Sequence, residues 1–500
     1  MYSLTLFFRR PICRTSASAD EQPAFFAVHS FIPGIIVALC FFLCGGAHGE
    51  EPTVIEVRPD RPKQEFQGLG CGAIFYEGHI TSLATRGNRE RQEQLYDAMF
   101  RDVRTDFLHV MIRHDHEPQD NHDDPYAPAF DERDFKYCEH TLAICEAAKK
   151  RNPKMQFFAT LYTPPGWMKT NGEPGGGGQA RATLKPEMEL KLGEFCWAFL
   201  AHMHRHGQTI QYLSICNEPD WPHTQPGYFL TPAQHAALFE KVALYLDEMA
   251  RRFPDVPRAR LVAPDVLSAV GAAEKYLPPV LKTSGRWLDV IGAHDYDPRG
   301  HRWKTLRDMS GGRPVWMTEG CVNRADHSPG LLNSATSYWF GMTECFNDGV
   351  NVWMAYDWVY PPREGGEALI HMDWGKDYRL TKIYHAFRQW AAPLVPGMRV
   401  VETTLAGPRA TGISVPGVKA SAFVSADKSR LVVHVVAAQD APAEVVLKTG
   451  GRFLGATARR HRTSAQENFA DLPDLPAQDG QIADTLPARG MVTYEFTARP

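Results

Sequence analysis

Between residues 66 and 390 the chain alternates short apolar runs with longer amphipathic stretches. The runs are Phe66–Ala73, Phe107–Ile112, Met155–Leu161, Ile210–Cys216, Arg260–Ala263, Val290–Ala293, Val315–Thr318 and Val350–Tyr356. Continuous apolar runs of this length, bounded by turn residues, fit strands buried on both faces. Between them Asn88–Phe100, Glu132–Lys150, Glu187–His206, Pro232–Arg252 and Leu332–Asn347 carry a helical spacing of apolar positions. Pro232 suits a first helical turn, with Thr231 before it as N-cap. Eight such units in roughly 325 residues predict an α/β (β/α)8 TIM barrel rather than an open sheet.

After Trp390 the texture changes. Val400–Val401, Ala422–Val424, Leu431–Val436, Ala443–Leu447 and Met491–Phe496 are short β-type runs separated by Gly, Pro, Asp and Ser. That spacing predicts a smaller all-β sandwich. The predicted division is therefore a barrel over 64–391 and a sandwich over 392–500, joined by a strand from 51–60.

Residues 1–49 read differently again. Arg9, Arg10 and Arg14 lie in a polar lead, Phe31–Cys44 is apolar, and Gly45-Gly46-Ala47-His48-Gly49 follows as a small-residue stretch. The apolar run falls short of the roughly 20 residues that span a bilayer. A cleaved signal peptide is expected, and with it a secreted or periplasmic protein without stable membrane association. Of the 10 cysteines, Cys13, Cys40 and Cys44 leave with that segment. The odd remainder has no regular spacing, so it predicts small buried side chains rather than a disulfide framework. Lys and Arg total 54 against 58 Asp and Glu, which argues against an electrostatic nucleic-acid binder.

In a barrel of this kind, reactive side chains project from the C-terminal ends of the strands. Reading just past each run gives Arg113, Tyr162-Thr163, Asn217-Glu218, Asp265, His294 with Tyr296, Glu319, and Asp357-Trp358. Glu218 and Glu319 stand out because each closes a strongly apolar run. Paired carboxyls are what cleavage of a glycosidic bond requires: one protonates the leaving oxygen, and the other attacks the anomeric carbon or activates water. That chemistry needs no cofactor.

A colinear set of motifs narrows the reading. They are Phe66-Gln67-Gly68-Leu69-Gly70, Thr163-Pro164-Pro165-Gly166-Trp167-Met168-Lys169-Thr170, Asn217-Glu218-Pro219-Asp220, Thr231-Pro232-Ala233-Gln234, Thr318-Glu319, and Val395-Pro396-Gly397-Met398-Arg399-Val400. Together they resemble glycoside hydrolase family 30, a family of retaining (β/α)8 β-glycosidases with a C-terminal β-sandwich. The resemblance implies Glu218 as general acid/base and Glu319 as nucleophile. It implies Asn217 as the partner of the sugar 2-hydroxyl, Arg113 as a charge beside the nucleophile, and Tyr296 as a donor to it. His294 is expected in the same pocket, Trp167 and Trp358 as aromatic walls against the sugar, and Asp265 as a further substrate contact.

The family's members act on xylan, β-1,6-glucan, β-1,6-galactan, glucosylceramide and small glycosides. The Tyr- and Arg-rich stretch of its glucuronoxylan-type members is not matched at Tyr356-Asp357-Trp358-Val359-Tyr360-Pro361-Pro362-Arg363, and Asp295 departs from its pattern too. A retaining hydrolase of a β-linked polysaccharide is therefore the leading expectation. A glucosylceramidase-like β-glucosidase and a non-catalytic carbohydrate-binding protein are the alternatives. Two further motifs are set aside. His114-Asp115-His116-Glu117 with His122, Asp123 and Asp124 lacks a His-Glu-x-x-His spacing, so no metal is expected. Gly175–Gly178 lacks the Gly-Lys-Ser/Thr ending of a phosphate loop.

Overall fold

The structure is a computed structural model. It describes residues 51–499 apart from 121–123, 129–130, 297–301, 322–331, 362–365, 409 and 411–416. The expected signal segment lies outside the described residues, as do His122 and Asp123. Among the described residues no helix is long and apolar enough to cross a membrane.

The chain opens with strand β1 (Thr53–Glu65) and then enters the barrel. Its strands are β2 (Gly68–Ala73), β3 (Phe107–Ile112), β4 (Gln156–Leu161), β5 (Tyr212–Ser214), β6 (Arg260–Val266), β7 (Leu288–His294), β8 (Val315–Gly320) and β9 (Val352–Ala355). They close in sequence order, β9 pairing in parallel with β2 through Cys71 and Ala355. All eight apolar runs became barrel strands. Inside the barrel, Trp316 meets Phe107 and Tyr212 at ring-centroid distances of 4.9 and 4.5 Å, with Phe158, Val262, Val290, Val352 and Met354 around them. The interior is thus a packed plug, and chemistry is left to the mouth. Gly72 marks how tightly the ring closes: a Cβ there would sit 1.9 Å from the carbonyl oxygen of Tyr356.

The helices begin and end where their capping residues direct. Thr231 caps Pro232–Arg252 through a reciprocal box, its hydroxyl accepting from Gln234 N while Gln234 Oε1 accepts from Thr231 N at 2.9 Å. Asn88 caps Arg89–Phe100 one way, its side-chain oxygen accepting from Arg91 N. The stretch from Glu132 is not one helix. A 3-10 turn at Glu132–Phe135 precedes the helix Cys138–Arg151.

After β9 a small three-stranded sheet is inserted, made of β10 (Asp357–Tyr360), β11 (Ala368–Asp373) and β12 (Asp377–Leu380). The helix Lys382–Ala391 then leads into β13 (Arg399–Ala406), β14 (Val418–Val424), β15 (Arg430–Ala437), β16 (Ala443–Thr449), β17 (Ala458–Thr463), β18 (Ala470–Leu475), β19 (Gln481–Leu486) and β20 (Met491–Thr497). These form one sheet in the order β18-β17-β20-β15-β14-β13-β1-β16-β19. Its far edges meet: Asp484 of β19 accepts from Arg460 of β17 and Tyr494 of β20, both at 2.9 Å. The sheet is therefore folded over a core of its own, as a sandwich. Strand β1 is an interior strand of it, antiparallel to β13 and parallel to β16. Strands β17 to β19 were not anticipated, because runs such as Ala458-Arg459-Arg460-His461-Arg462 carry no apolar alternation.

The other face of the sandwich packs into the core that surrounds the barrel. Trp390 stacks on His434 of β15 at 4.2 Å and meets Trp339 edge-on at 4.9 Å. Gln389 Nε2 donates to the carbonyls of His461 and Met491, and its Oε1 accepts from Thr463. The seven cysteines among the described residues are unpaired, and six are buried. Replacing Trp390 by Ala is expected to cost about 3–5 kcal/mol. Because the two lobes share that core, chemical denaturation should still show one transition, moved to lower denaturant.

Candidate active site

Glu218 follows β5 and Glu319 is the penultimate residue of β8, so both reach the same mouth of the barrel. One carboxylate oxygen from each, together with a ring nitrogen of His294, falls in a group whose members all lie within 4.8 Å of one another. The two glutamates are almost buried, at 7% and 5% exposure. Glu218 sits at a left-handed φ of 44°. For a non-glycine residue this conformation costs about 1–3 kcal/mol and must be held by its surroundings. Here the Glu218 N–H donates to the Asp265 carbonyl at 2.9 Å, and the Glu218 carbonyl accepts from Trp221 N and His223 Nε2.

His294 joins the groups. Its Nδ1–H donates to Glu218 Oε1 at 2.9 Å and lies 3.7 Å from Glu319 Oε1, while Nε2 faces Asp265 Oδ1 at 3.6 Å. Asp265 is fully buried and is fixed in turn by Thr318 Oγ1 at 2.6 Å and Thr160 Oγ1 at 3.3 Å. Glu319 accepts from Tyr162 on one oxygen at 2.7 Å and from Tyr296 on the other at 3.0 Å. Burial by itself would hold His294 neutral, yet Glu319, Asp265 and Glu218 outweigh it and push the imidazole well above its ordinary pKa. Burial and the neighbouring Glu218 raise Glu319 to about 7, against the pull of His294 and the two phenols. Burial would also raise Asp265, but His294 and Thr318 keep it below the usual carboxylate value. A metal would need a free imidazole lone pair here. Both His294 nitrogens face carboxylates instead, so the cluster suits a proton rather than an ion.

The other predicted residues divide. Asn217 is buried beside Glu218, and its Oδ1 has no hydrogen-bond partner among the described residues. Tyr296 contacts Glu319 directly. Asp265 lies beneath the pair rather than facing the mouth, which corrects its expected role as a substrate contact to that of a positioning residue. Arg113 is also corrected. Its guanidinium is spent on Asp115, at 3.1 and 2.8 Å, with Glu77 at 3.9 Å, and the donors touching Glu319 are the two tyrosines and His294. Trp358 is fully buried on β10 and packs edge-on against Phe100 at 5.9 Å, so it is a core residue and no wall for a sugar. Trp167 is half-buried after β4, its indole N–H donating to the Glu117 carbonyl at 2.9 Å. In the His114–Glu117 stretch, His116 places both ring nitrogens on backbone carbonyls, of Arg113 and Phe195. Tyr162 and His223 went unassigned in the sequence. Tyr162 was marked only by its place at a strand end, and nothing in the local pattern marks His223.

This architecture has solved counterparts. The glycoside hydrolase family 30 subfamily 8 xylanase of Clostridium acetobutylicum matches at TM-score 0.66 and 18% identity, over 89% of this chain and 99% of that one. The fold is that of glycoside hydrolase family 30. SrfJ of Salmonella typhimurium matches at TM-score 0.70 and 18% identity, over 89% of this chain and 93% of that one. An endo-β-1,6-glucanase matches at TM-score 0.63 and 12% identity, over 90% and 96%. No family model matches the sequence, and no curated protein does either.

The electrostatic arrangement makes a prediction that is independent of any reaction. An NMR titration of ring-15N-labelled protein should find the His294 imidazole still protonated at pH values where an exposed histidine has lost its proton. Glu319→Gln should bring that titration down, because it removes the strongest charge raising it. An unchanged His294 titration in the variant would contradict the assignment.

Proposed function

We infer that the protein is a retaining β-glycoside hydrolase, acting on a β-linked polysaccharide by double displacement. The observation that carries this reading is that a carboxylate oxygen of Glu218 lies within 4.8 Å of a carboxylate oxygen of Glu319. Retaining enzymes hold the pair roughly 5–5.5 Å apart, whereas inverting ones leave roughly 6.5–9.5 Å so that a water fits between carboxylate and sugar. A fold shared with family 30 xylanases and an endo-β-1,6-glucanase supports the same class. Xylan, β-1,6-glucan and β-1,6-galactan are the polysaccharides to test first.

Roles follow from which donors each carboxyl receives. Glu319, with a phenol on each oxygen, is oriented and ready to act as an anion, and it attacks the anomeric carbon. Glu218 gives its proton to the leaving oxygen as the bond breaks, then takes one from the water that hydrolyses the glycosyl ester. The unpaired Oδ1 of Asn217 offers an acceptor to a hydroxyl of the bound sugar. Its burial makes that bond worth more than one made in water. Binding without cleavage would not require two carboxyls at this separation. The apolar run and small-residue stretch within 1–49 make secretion part of the same proposal, since a polymeric glycan is met outside the cell.

Glu319→Ala should abolish turnover and Glu218→Ala should lower it by about 10²–10⁴-fold on substrates with poor leaving groups. Release of sugar from the panel above, followed by reducing-end assay, measures both. Wild-type rates in either variant would end the assignment. The first anomer formed, seen by NMR, should be the β form, and initial α product would exclude double displacement.

The raised Glu319 adds a pH dependence. Attack requires the ionised carboxylate, so kcat/KM should fall as pH drops through about 7. Tyr296→Phe removes a donor that favours the anion and should move that limb to higher pH. A limb that stays in place, with only its height changed, would mean that Tyr296 does not set the ionisation.

A further inference from the structure

The rings that line one side of the mouth reach beyond the catalytic pair to the protein surface. Tyr356 follows β9, and its N–H donates to the Gly320 carbonyl, next to Glu319. From there Tyr360 lies 6.1 Å away, Tyr76 a further 4.3 Å, His79 another 5.4 Å, and Trp374 4.2 Å beyond that, ring centroid to ring centroid. Tyr76 follows β2, the strand that pairs with β9, so the row begins at one seam of the barrel mouth. It ends on Trp374, which is 54% exposed at the tip of the β11–β12 hairpin.

A lone exposed tryptophan would call for no explanation. This one is continuous with the catalytic mouth, and its hairpin is anchored. Gly375 N donates to Ser82 Oγ at 2.9 Å, and the backbone of Gly375 packs so closely on Arg86 that a side chain would collide with it. Further along, Arg91 bonds Asp377 at 2.7 Å and lies 3.9 Å over the Tyr378 ring. The indole is therefore displayed from a fixed position rather than left on a loose loop, with nothing in the described chain covering its outer face. Tyr360 is itself buried, so the row reaches the surface at Tyr76, His79 and Trp374, where an apolar patch held in place beside a site marks a ligand-binding surface. An indole is the side chain best suited to take the apolar face of a ring while its edge stays wet.

Resting on the glycosidase reading above, we propose that Trp374, with His79 and Tyr76, is a binding platform for sugar units beyond the one being cleaved, so that the substrate is an extended β-linked glycan chain rather than a small glycoside or a lipid-linked sugar. The insert β10–β12 carries that platform. Its aromatic rings suit neutral sugar faces stacked one after another along the row.

The experiment compares wild type, Trp374→Ala and Trp374→Phe on the dimer and the hexamer of whichever of xylan, β-1,6-glucan or β-1,6-galactan the wild type degrades. Trp374→Ala should lower kcat/KM for the hexamer about tenfold more than for the dimer, through KM rather than kcat. Trp374→Phe, which keeps a ring, should recover a large part of that difference. Equal losses on dimer and hexamer, or no loss on either, would overturn the platform while leaving the hydrolase reading intact. A wild-type protein that cleaves none of these glycans, nor an aryl β-glycoside, would instead bring down the hydrolase reading and the platform with it.

Discussion

Three carboxylates crowd into the dry mouth of this barrel, and one imidazole stands between them. Glu218, Glu319 and Asp265 all approach His294, which has no exposed surface of its own. Gathering like charges in a place shut off from water is costly unless a buried counter-charge is supplied. His294 is that counter-charge. Its pKa rises because three acids surround it, and their burial is tolerable because it is charged. Removing the imidazole would leave acids facing each other, and removing Glu319 would leave a cation with less reason to hold its proton. The remaining features of the site serve this mutual arrangement.

The scaffold supplies the rigidity such an arrangement needs. Glu218 and Asp265 both take left-handed backbone conformations, φ 44° and 54°, and the N–H of the first is bonded to the carbonyl of the second. Thr160 and Thr318 point in from β4 and β8 to fix the Asp265 carboxylate on β6, so alternate strands brace the underside of the cluster. Below that layer the interior is aromatic and aliphatic, with Trp316 at its centre. The barrel thus turns from a packed plug to a charged cluster within a few residues along each strand. At the opposite rim a hollow of about 430 Å³ is lined by residues such as Gln67, Arg260 and Asp289.

Much of this was legible in the chain, for identifiable reasons. Barrel strands are buried on both faces, so each appears as a short apolar run, and every one of the eight was found. The strand-end rule then located Glu218, Glu319, His294 and Tyr296. What the rule lacks is side-chain direction. Arg113 ends its strand as expected, but Asp115, two residues on, satisfies its fork bidentately. Trp358 lies only three residues past a barrel strand, yet it has already entered β10, where the alternation turns it into the core beside Phe100. Asp265 ends its strand as read, but it is fully buried under Thr160, Thr318 and His294. Tyr162 was visible at its strand end but unassigned, since only the closed ring brings it across to Glu319. Strands β17 to β19 escaped because their alternation is of charges and prolines, and they are strands through pairing rather than through hydropathy.

The asymmetry between the two glutamates bears on the order of chemical events. Both oxygens of Glu319 are engaged by phenols, from β4 and from the segment after β7, so this carboxyl has little freedom to rotate. Glu218 is bonded at one oxygen by His294, and its other oxygen lies 3.8 Å from His223 Nε2, beyond hydrogen-bond reach. A nucleophile gains from being pinned, because attack demands one alignment with the anomeric carbon. An acid that must later act as a base gains from a free oxygen, since it meets first a leaving group and then a water. His294 touches both, by hydrogen bond to one and by charge to the other. In the double displacement proposed above, Glu319 loses its negative charge on forming the ester just as Glu218 gives up its proton, so His294 keeps an anionic partner while losing another. The same side chain that makes the resting cluster bearable would then steady Glu218 as the carboxylate that takes a proton from the incoming water.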